Sequence, residues 1–292
     1  EFRRVLFRSP PAKAQCPYCG VGCGLELKPP APESDSPAWS ARGDRLHPSS
    51  LGQVCVKGAT VGDTLHHNRL TTPLWRADRS QPFAPIGWDQ AYGLLVERIQ
   101  ATLANRGPEA LAIYGSGQFL SEDYYAANKL LKGALGCNNF DANSRLCMSS
   151  AVAGYSRSLG SDGPPCCYDD LDSAELVLLI GTNTADCHPV LFQRLLKRRR
   201  RGEAFQLVAV DPRSTASSDA ADLHLAIWPG SDLALLCGLG HALLRRDALD
   251  HAFLDAHTEG WPELRALWRQ WTPERSARVC GLEPAAIERL AE

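Results

Sequence analysis

Leu176-Val177-Leu178-Leu179-Ile180-Gly181-Thr182-Asn183 is the clearest strand signal in the chain, and its reading decides the fold. Five consecutive apolar residues, ended by a glycine and an asparagine, describe a buried strand. A helical pattern follows from His188-Pro189, with apolar positions at Val190, Leu191, Leu195 and Leu196. Gln206-Leu207-Val208-Ala209-Val210 is the next strand, ending in Asp211-Pro212-Arg213. A shorter strand, within Ala221 to Trp228, ends at Pro229-Gly230-Ser231-Asp232. Leu233 to Arg246 then reads as a helix capped by Ser231 or Asp232. This alternation predicts a parallel sheet with covering helices, an α/β fold of the dinucleotide-binding kind. Ligands of such sheets bind beyond the carboxyl ends of the strands. Asn183, Asp211, Arg213 and Asp232 all lie just past strand ends, which predicts a convergent polar site from topology alone.

Working outward, Trp88 to about Asn105 reads as a helix, with Leu94, Leu95, Ile99 and Leu103 on one face and Asp89 as N-cap. Ala110 to Tyr114 reads as a buried strand that runs into Gly115-Ser116-Gly117-Gln118. A strand ending in Gly-Ser-Gly lets backbone approach a phosphate or ring closely. A helix is expected from about Glu122 to Gly136, and helices over Ala248 to Glu292, where Trp261, Trp268 and Trp271 fall. The final helical pattern, Glu283 to Glu292, stops in mid-course and reads as part of a longer chain. Pro29 to Ser40, rich in Pro and Ser, reads as an exposed loop. Residues 1–9 have no evident structural role.

The second decisive stretch is Cys16-Pro17-Tyr18-Cys19-Gly20-Val21-Gly22-Cys23-Gly24, followed by Cys55 in Val54-Cys55-Val56-Lys57-Gly58. Three closely spaced thiols and one distant thiol suit a [4Fe–4S] cube held by four thiolates. Gly20, Gly22 and Gly24 let the backbone turn sharply and bring N–H groups towards sulfur. Zinc is the rival, although structural zinc usually takes two separate CxxC pairs, and the spacing here is three plus one. A small cluster domain over residues 10–70 follows, with metal supplying much of its stability. The α/β part then divides at about residue 145, into 71–145 and 146–292.

Composition narrows the function class. Hydrophobic residues make up 44% and charged residues 22%, an ordinary globular balance over 292 residues. A formal net charge of −2 argues against a nucleic-acid partner, and Lys197-Arg198-Arg199-Arg200-Arg201 reads as a solvated helix end. No apolar run is long enough for a transmembrane helix, so no membrane partner is expected. Eleven cysteines, an odd and scattered set, point to a reducing compartment, hence the cytoplasm. Cys147, in Asn143-Ser144-Arg145-Leu146-Cys147-Met148-Ser149-Ser150-Ala151, is either an inert buried thiol or a metal-binding or nucleophilic thiolate.

These stretches occur in an order that resembles the catalytic subunits of the DMSO reductase family, the bis-molybdopterin guanine dinucleotide oxidoreductases. Within it, Cys147 to Val152, Gly154-Tyr155 and Gly163-Pro164-Pro165-Cys166 look most like bacterial assimilatory nitrate reductases. The resemblance covers residues 14–292 and the N-terminal part of such a subunit. It implies cluster ligands at Cys16, Cys19, Cys23 and Cys55, and Lys57 between cluster and pterin. It implies Cys147 as the molybdenum ligand, and Gln118 and Asn143 as pterin contacts. Three guanine dinucleotide loops are implied: Gly181, Asn183 and Asp186; Asp211 and Arg213; Gly230, Ser231 and Asp232. The implied activity is reduction of nitrate to nitrite by oxygen-atom transfer, with electrons entering through the cluster from a flavoprotein, ferredoxin or flavodoxin. Arg145 is a candidate for an anion funnel or a pterin phosphate. Formate dehydrogenase is the alternative, but such enzymes have histidine after the metal ligand, where this chain has Met148. A non-catalytic iron–sulfur electron-transfer subunit is a further alternative. His188 reads as a helix-start or core residue. Cys137, Cys166, Cys167, Cys187, Cys237 and Cys280 read as structural thiols.

Overall fold

A computed structural model describes residues 11–31, 39–65 and 67–292. Residues 1–9 and most of the Pro/Ser-rich loop lie outside the described residues. The chain forms two compact units. One comprises residues up to Pro17, Leu25–Arg42 and Val56–Cys167, and the other Tyr18–Gly24, Gly43–Cys55 and Tyr168–Glu292.

In the first unit, β1 (Ala12–Gln15), β2 (Gly24–Lys28) and β3 (Ser40–Gly43) form a sheet in that order. A one-turn helix, α1 (Val56–Ala59), follows, and β4 (Leu74–Trp75) pairs antiparallel with β5 (Ala84–Pro85). Next comes α2 (Trp88–Arg106). Its N-cap is Gly87, so Asp89 sits inside the first turn instead of capping it. There its carboxylate faces the positive end of the helix. The strand expected over Ala110 to Tyr114 starts later, as β6 (Ile113–Gly115), because Pro108–Ala110 winds into a 3-10 turn. The helix expected to Gly136 is two pieces, α3 (Ser121–Asn128) and a wider π turn over Lys129–Ala134, which buries Leu131. β7 (Phe140–Ala142) pairs parallel with β6, Gly115 opposite Ala142, and α4 (Ser144–Leu159) follows.

The second unit carries the doubly covered sheet. A short helix, α5 (Asp170–Ser173), leads to β8 (Leu176–Ile180), α6 (Thr184–Cys187) and α7 (Pro189–Arg200). β9 (Gln206–Val210), α8 (Ala216–Asp219), β10 (Leu223–Leu225) and α9 (Asp232–Arg245) continue the alternation. Then come α10 (His251–His257), α11 (Trp261–Arg269), α12 (Pro273–Cys280) and α13 (Pro284–Ala291). β8, β9 and β10 are parallel, with β9 central, Ile180 opposite Val210 and Val210 opposite Leu225.

Each face of this sheet has its own core. Val177, Leu179 and Leu207 pack with Phe192 and Leu195 of α7. Val210, Leu225 and Ile227 pack with Leu235 of α9, Ala277 and Cys280 of α12 and Ile287 of α13. Leu178 leans on this second cluster, so β8 alternates between the two faces. Burial on both faces explains the unbroken apolar runs of β8 and β9. Each large apolar side chain here contributes about 1.5–3 kcal/mol.

The basic run is less solvated than its sequence suggests. Arg198 is buried, donates Nη1 to the Leu171 and Ala174 carbonyls at 2.8 Å each, and pairs with Glu203 at 2.9 Å. Arg199 bonds Asp222 at 2.6 Å. Arg200 and Arg201 remain at the exposed helix end. The run is therefore partly a clamp that ties α7 to its neighbours. Among the described residues no helix is long and apolar enough to cross a membrane.

Candidate molybdenum and iron–sulfur site

In the first unit, the parallel β6–β7 pair brings three expected residues past its carboxyl end. Gln118 follows β6, Asn143 follows β7, and Cys147 lies one turn into α4. Asn143 Oδ1 accepts from Gly117 N at 2.6 Å, so its side chain fastens the Gly115–Gln118 loop beside α4. Cys147 N donates to Asn143 O at 3.4 Å, the first helical bond, and residues four apart share a helix face. Cys147 and Gln118 are both exposed. The buried inert thiol reading of Cys147 is thereby corrected: its sulfur is accessible at the start of α4. Arg145 is paired with Asp141 at 3.0 Å. The Ala142 backbone N–H, and then Arg145, hold the Asp141 carboxyl below its usual range. Lys57 is exposed on α1, two residues after Cys55.

In the second unit, the strand ends of the sheet collect the other expected residues. Gly181 N donates to Val210 O at 2.9 Å, closing the sheet beyond β8. Asn183 Nδ2 donates to Asp186 Oδ2 at 2.5 Å, and Ser217 Oγ donates to Asn183 Oδ1 at 2.9 Å. Ala185 N donates to Ser217 Oγ at 2.8 Å. Ser217, which sequence reasoning missed, thus ties the loop after β8 to the loop after β9. Thr215 caps α8, and Thr215-x-x-Ser218 is the capping-box signal that marks this loop. Asp211 is buried and accepts from Arg213 N at 2.8 Å, while Arg213 is exposed. His224, also missed, bonds the Asp211 carbonyl through Nε2 at 2.8 Å. After β10, Gly230 is exposed, Ser231 is buried and Asp232 begins α9. Ser231 occupies the N-cap position, but its hydroxyl donates to Trp228 O at 2.6 Å and makes no cap bond.

The cysteine stretch divides between the units, Cys16 in the first and Cys19, Cys23 and Cys55 in the second. Cys16 and Cys23 are buried, and Cys19 and Cys55 half-buried. The three glycines do different work. Gly22 takes φ +64° and its N–H closes a turn on Cys19 O at 3.3 Å. At Gly24 a Cβ would overlap the His47 ring. Gly20 is the open side of the loop. Ser50 Oγ accepts from Gly24 N at 3.2 Å, and Asp44 N donates to Gly24 O at 2.9 Å. Tyr168 Oη donates to the Gly20 carbonyl at 3.0 Å. Burial, and then charge on Cys19 and Cys23, push the Tyr168 phenol up. His47 Nδ1 is buried beside the loop without a hydrogen-bond partner among the described atoms.

This donor set fits an iron–sulfur cluster. Cys19 and Cys23 flank a glycine-rich turn, Cys16 and Cys55 supply two further soft sulfur donors in the sequence, and the orphaned His47 imidazole nitrogen lies beside the turn. Among the described residues, no three His, Cys, Asp or Glu side chains meet closely enough to hold a single metal ion. The exposed Cys147, one helical turn beyond Asn143, likewise fits a metal that arrives with sulfur ligands of its own. Of the six thiols expected to be structural, Cys137, Cys237 and Cys280 are buried. Cys166, Cys167 and Cys187 are exposed, so a packing role does not account for them. His188 is the N-cap position of α7, as the helix-start reading has it.

Comparison with known proteins decides the family. The molybdopterin oxidoreductase family matches residues 69–252, and the molybdopterin oxidoreductase Fe4S4 domain matches residues 12–67. This chain belongs to the molybdopterin oxidoreductases. Its cofactors are accordingly molybdopterin and a [4Fe–4S] cluster. A nitrate reductase of Synechocystis sp. is 48% identical over 97% of this chain and 40% of its own length. A nitrate reductase of Klebsiella oxytoca is 44% identical over 92% of this chain and 30% of its own. A periplasmic nitrate reductase of Desulfovibrio desulfuricans is 37% identical over 92% and 36%. The chain thus spans about 30–40% of these relatives. Among solved structures, acetylene hydratase from Pelobacter acetylenicus superposes with a TM-score of 0.80, covering 96% of this chain and 38% of its own, at 22% identity. That likeness shows the shared fold.

Proposed function

We propose that this chain forms part of an assimilatory nitrate reductase that converts nitrate to nitrite, with electrons entering through the [4Fe–4S] cluster. The observation that carries this reading is the 44–48% identity to nitrate reductases across nearly the whole chain. Met148 in place of histidine after Cys147 supports nitrate over formate.

In this reading each site residue has a role that its position supports. Molybdenum, when bound as bis(molybdopterin guanine dinucleotide), would supply oxygen-atom transfer. Cys147, exposed in the first turn of α4, would hold that metal through its sulfur. Asn143, fastened to Gly117, and Gln118 offer polar side chains to the pterin. Asp186 and Asp211 each spend one carboxylate oxygen on a neighbour in the chain. A carboxylate has acceptor sites left over for a guanine edge. Arg213 offers its fork to a diphosphate, and Gly181, Gly230, Ser231 and Asp232 line the other approaches. Cys16, Cys19, Cys23 and Cys55 hold the cluster. Lys57, a cation two residues after Cys55, would stabilise added negative charge on the cofactors. Arg145 is occupied by Asp141 and serves this reading as a surface pair rather than an anion funnel.

In this reading residues 10–70 form the cluster domain, 71–145 the first part of the molybdopterin domain and 146–292 the nucleotide-binding part. The donor is a flavoprotein, ferredoxin or flavodoxin, the compartment is the cytoplasm, and neither nucleic acid nor membrane is a partner. Residues 10–292 alone lack turnover, because the relatives supply more than twice this length. Viologen-linked assays with nitrate and with formate, on a protein of the relatives' length, test the function. Nitrate turnover is expected, and formate oxidation without nitrate reduction would overturn it. Activity unchanged in Cys147→Ala would instead favour a non-catalytic electron-transfer subunit.

A further inference from the structure

We propose that Tyr168 is a positioning residue for the [4Fe–4S] cluster, and that by holding the Gly20–Val21 segment between Cys19 and Cys23 it raises the cluster's reduction potential. The inference rests on those cysteines being cluster ligands.

Geometry singles out this side chain. Tyr168 lies 148 residues beyond Gly20 in sequence, yet its hydroxyl donates to Gly20 O at 3.0 Å and approaches Val21 O at 3.4 Å. Both peptide units belong to the loop that separates two ligands. Beside the loop lies an open, largely apolar pocket of about 290 Å³, lined by Gly20, Tyr168, Leu171, Val177, His188 and Leu191 among others. Apolar packing is therefore incomplete on this side, and the phenol is a directional hold on the loop. His188 forms the facing wall: a Cβ on Gly20 would sit 3.8 Å from its Nε2.

A carbonyl that accepts a hydrogen bond is polarised, and the N–H of the same peptide unit becomes a stronger donor. The units concerned carry the Val21 and Gly22 N–H groups. Gly22 N–H closes the turn on Cys19 O, so the Tyr168 bond stiffens the backbone that carries Cys19. Donors and fixed dipoles beside the cluster favour its reduced, more negative state. One electron enters the cluster, no bond breaks, and Tyr168 keeps its proton.

The test is an EPR-monitored redox titration of the holoenzyme, with iron content measured on each sample. Tyr168→Phe keeps the ring and removes the donor. It should retain iron and shift the reduction equilibrium about threefold to tenfold towards the oxidised cluster, tenfold being about 59 mV for one electron. Ring-monofluorinated tyrosine at position 168, a stronger donor of nearly the same shape, should shift it the opposite way. Unchanged potentials in both variants, or shifts in the same direction, would overturn the inference. If Tyr168→Phe loses iron, the fluorinated protein decides, and an unshifted potential there refutes the role. Absence of iron from the unsubstituted holoenzyme would refute the cluster reading itself, a distinct outcome.

Discussion

Ser217 joins two loops with one hydroxyl. It accepts from Ala185 N and donates to Asn183 Oδ1, so the loop after β8 and the loop after β9 hold a common geometry. Ser217→Ala leaves both partners short of a bond, and should lower the stability of this unit by about 1–3 kcal/mol in urea denaturation. Arg198 is the comparable case on the far side of α7. Arg198→Met removes two carbonyl bonds and the partner of Glu203, and should cost on the order of 3 kcal/mol by the same measurement. Arg201→Met, at the exposed end, should change little. Sequence reading placed both arginines on a solvated helix end, because a charge run carries no record of which member turns inward. The candidate ligands were legible because cysteine spacing and strand-end position are local properties. Ser217, His224 and Tyr168 were not, since each acts on a residue between 13 and 148 positions away.

At the scale of elements, β8 and β9 lie where their apolar runs put them, because a strand buried on both faces has no polar alternation to blur its ends. Helix starts were less legible. Gly87, rather than Asp89, precedes α2, and Ser231 spends its hydroxyl on Trp228. Capping is a choice among neighbouring polar groups that the sequence leaves open. The packing of α9 was wholly non-local: a Cβ on Gly240 would overlap the Trp268 ring of α11. Gly240→Ala should therefore destabilise this helical layer by about 1–3 kcal/mol despite its better helix propensity, as read by thermal unfolding. The tie between α5 and α7 carries a pH signature. Arg194 lies 2.5 Å from Asp172 and holds its carboxyl below the usual range, while Arg194 itself is pushed up and stays charged. A depressed carboxylate contributes stability that is present above its unfolded pKa and lost as pH falls through the folded one. Stability should thus fall below about pH 4, and Asp172→Asn should flatten that acid limb in denaturation curves.

Over the whole molecule, the two units differ in how they bury their helices. The sheet unit covers both faces of β8–β10, whereas α2, α3 and α4 of the other unit bury no residue fully. Trp88, Tyr92, Leu95 and Val96 on α2 stay exposed, in a chain that spans about 30–40% of its nitrate reductase relatives. The family was readable from motif order, because each motif is a short local pattern whose residues stand close together in sequence. The central claim, that Cys147 binds molybdenum and that a [4Fe–4S] cluster feeds it electrons, has one direct test. X-ray absorption at the molybdenum edge, on holoenzyme of the relatives' length and on its Cys147→Ser variant, counts the sulfur neighbours of the metal. Loss of one sulfur in the variant, with iron content unchanged, is the predicted result. An identical sulfur shell in both proteins would contradict it.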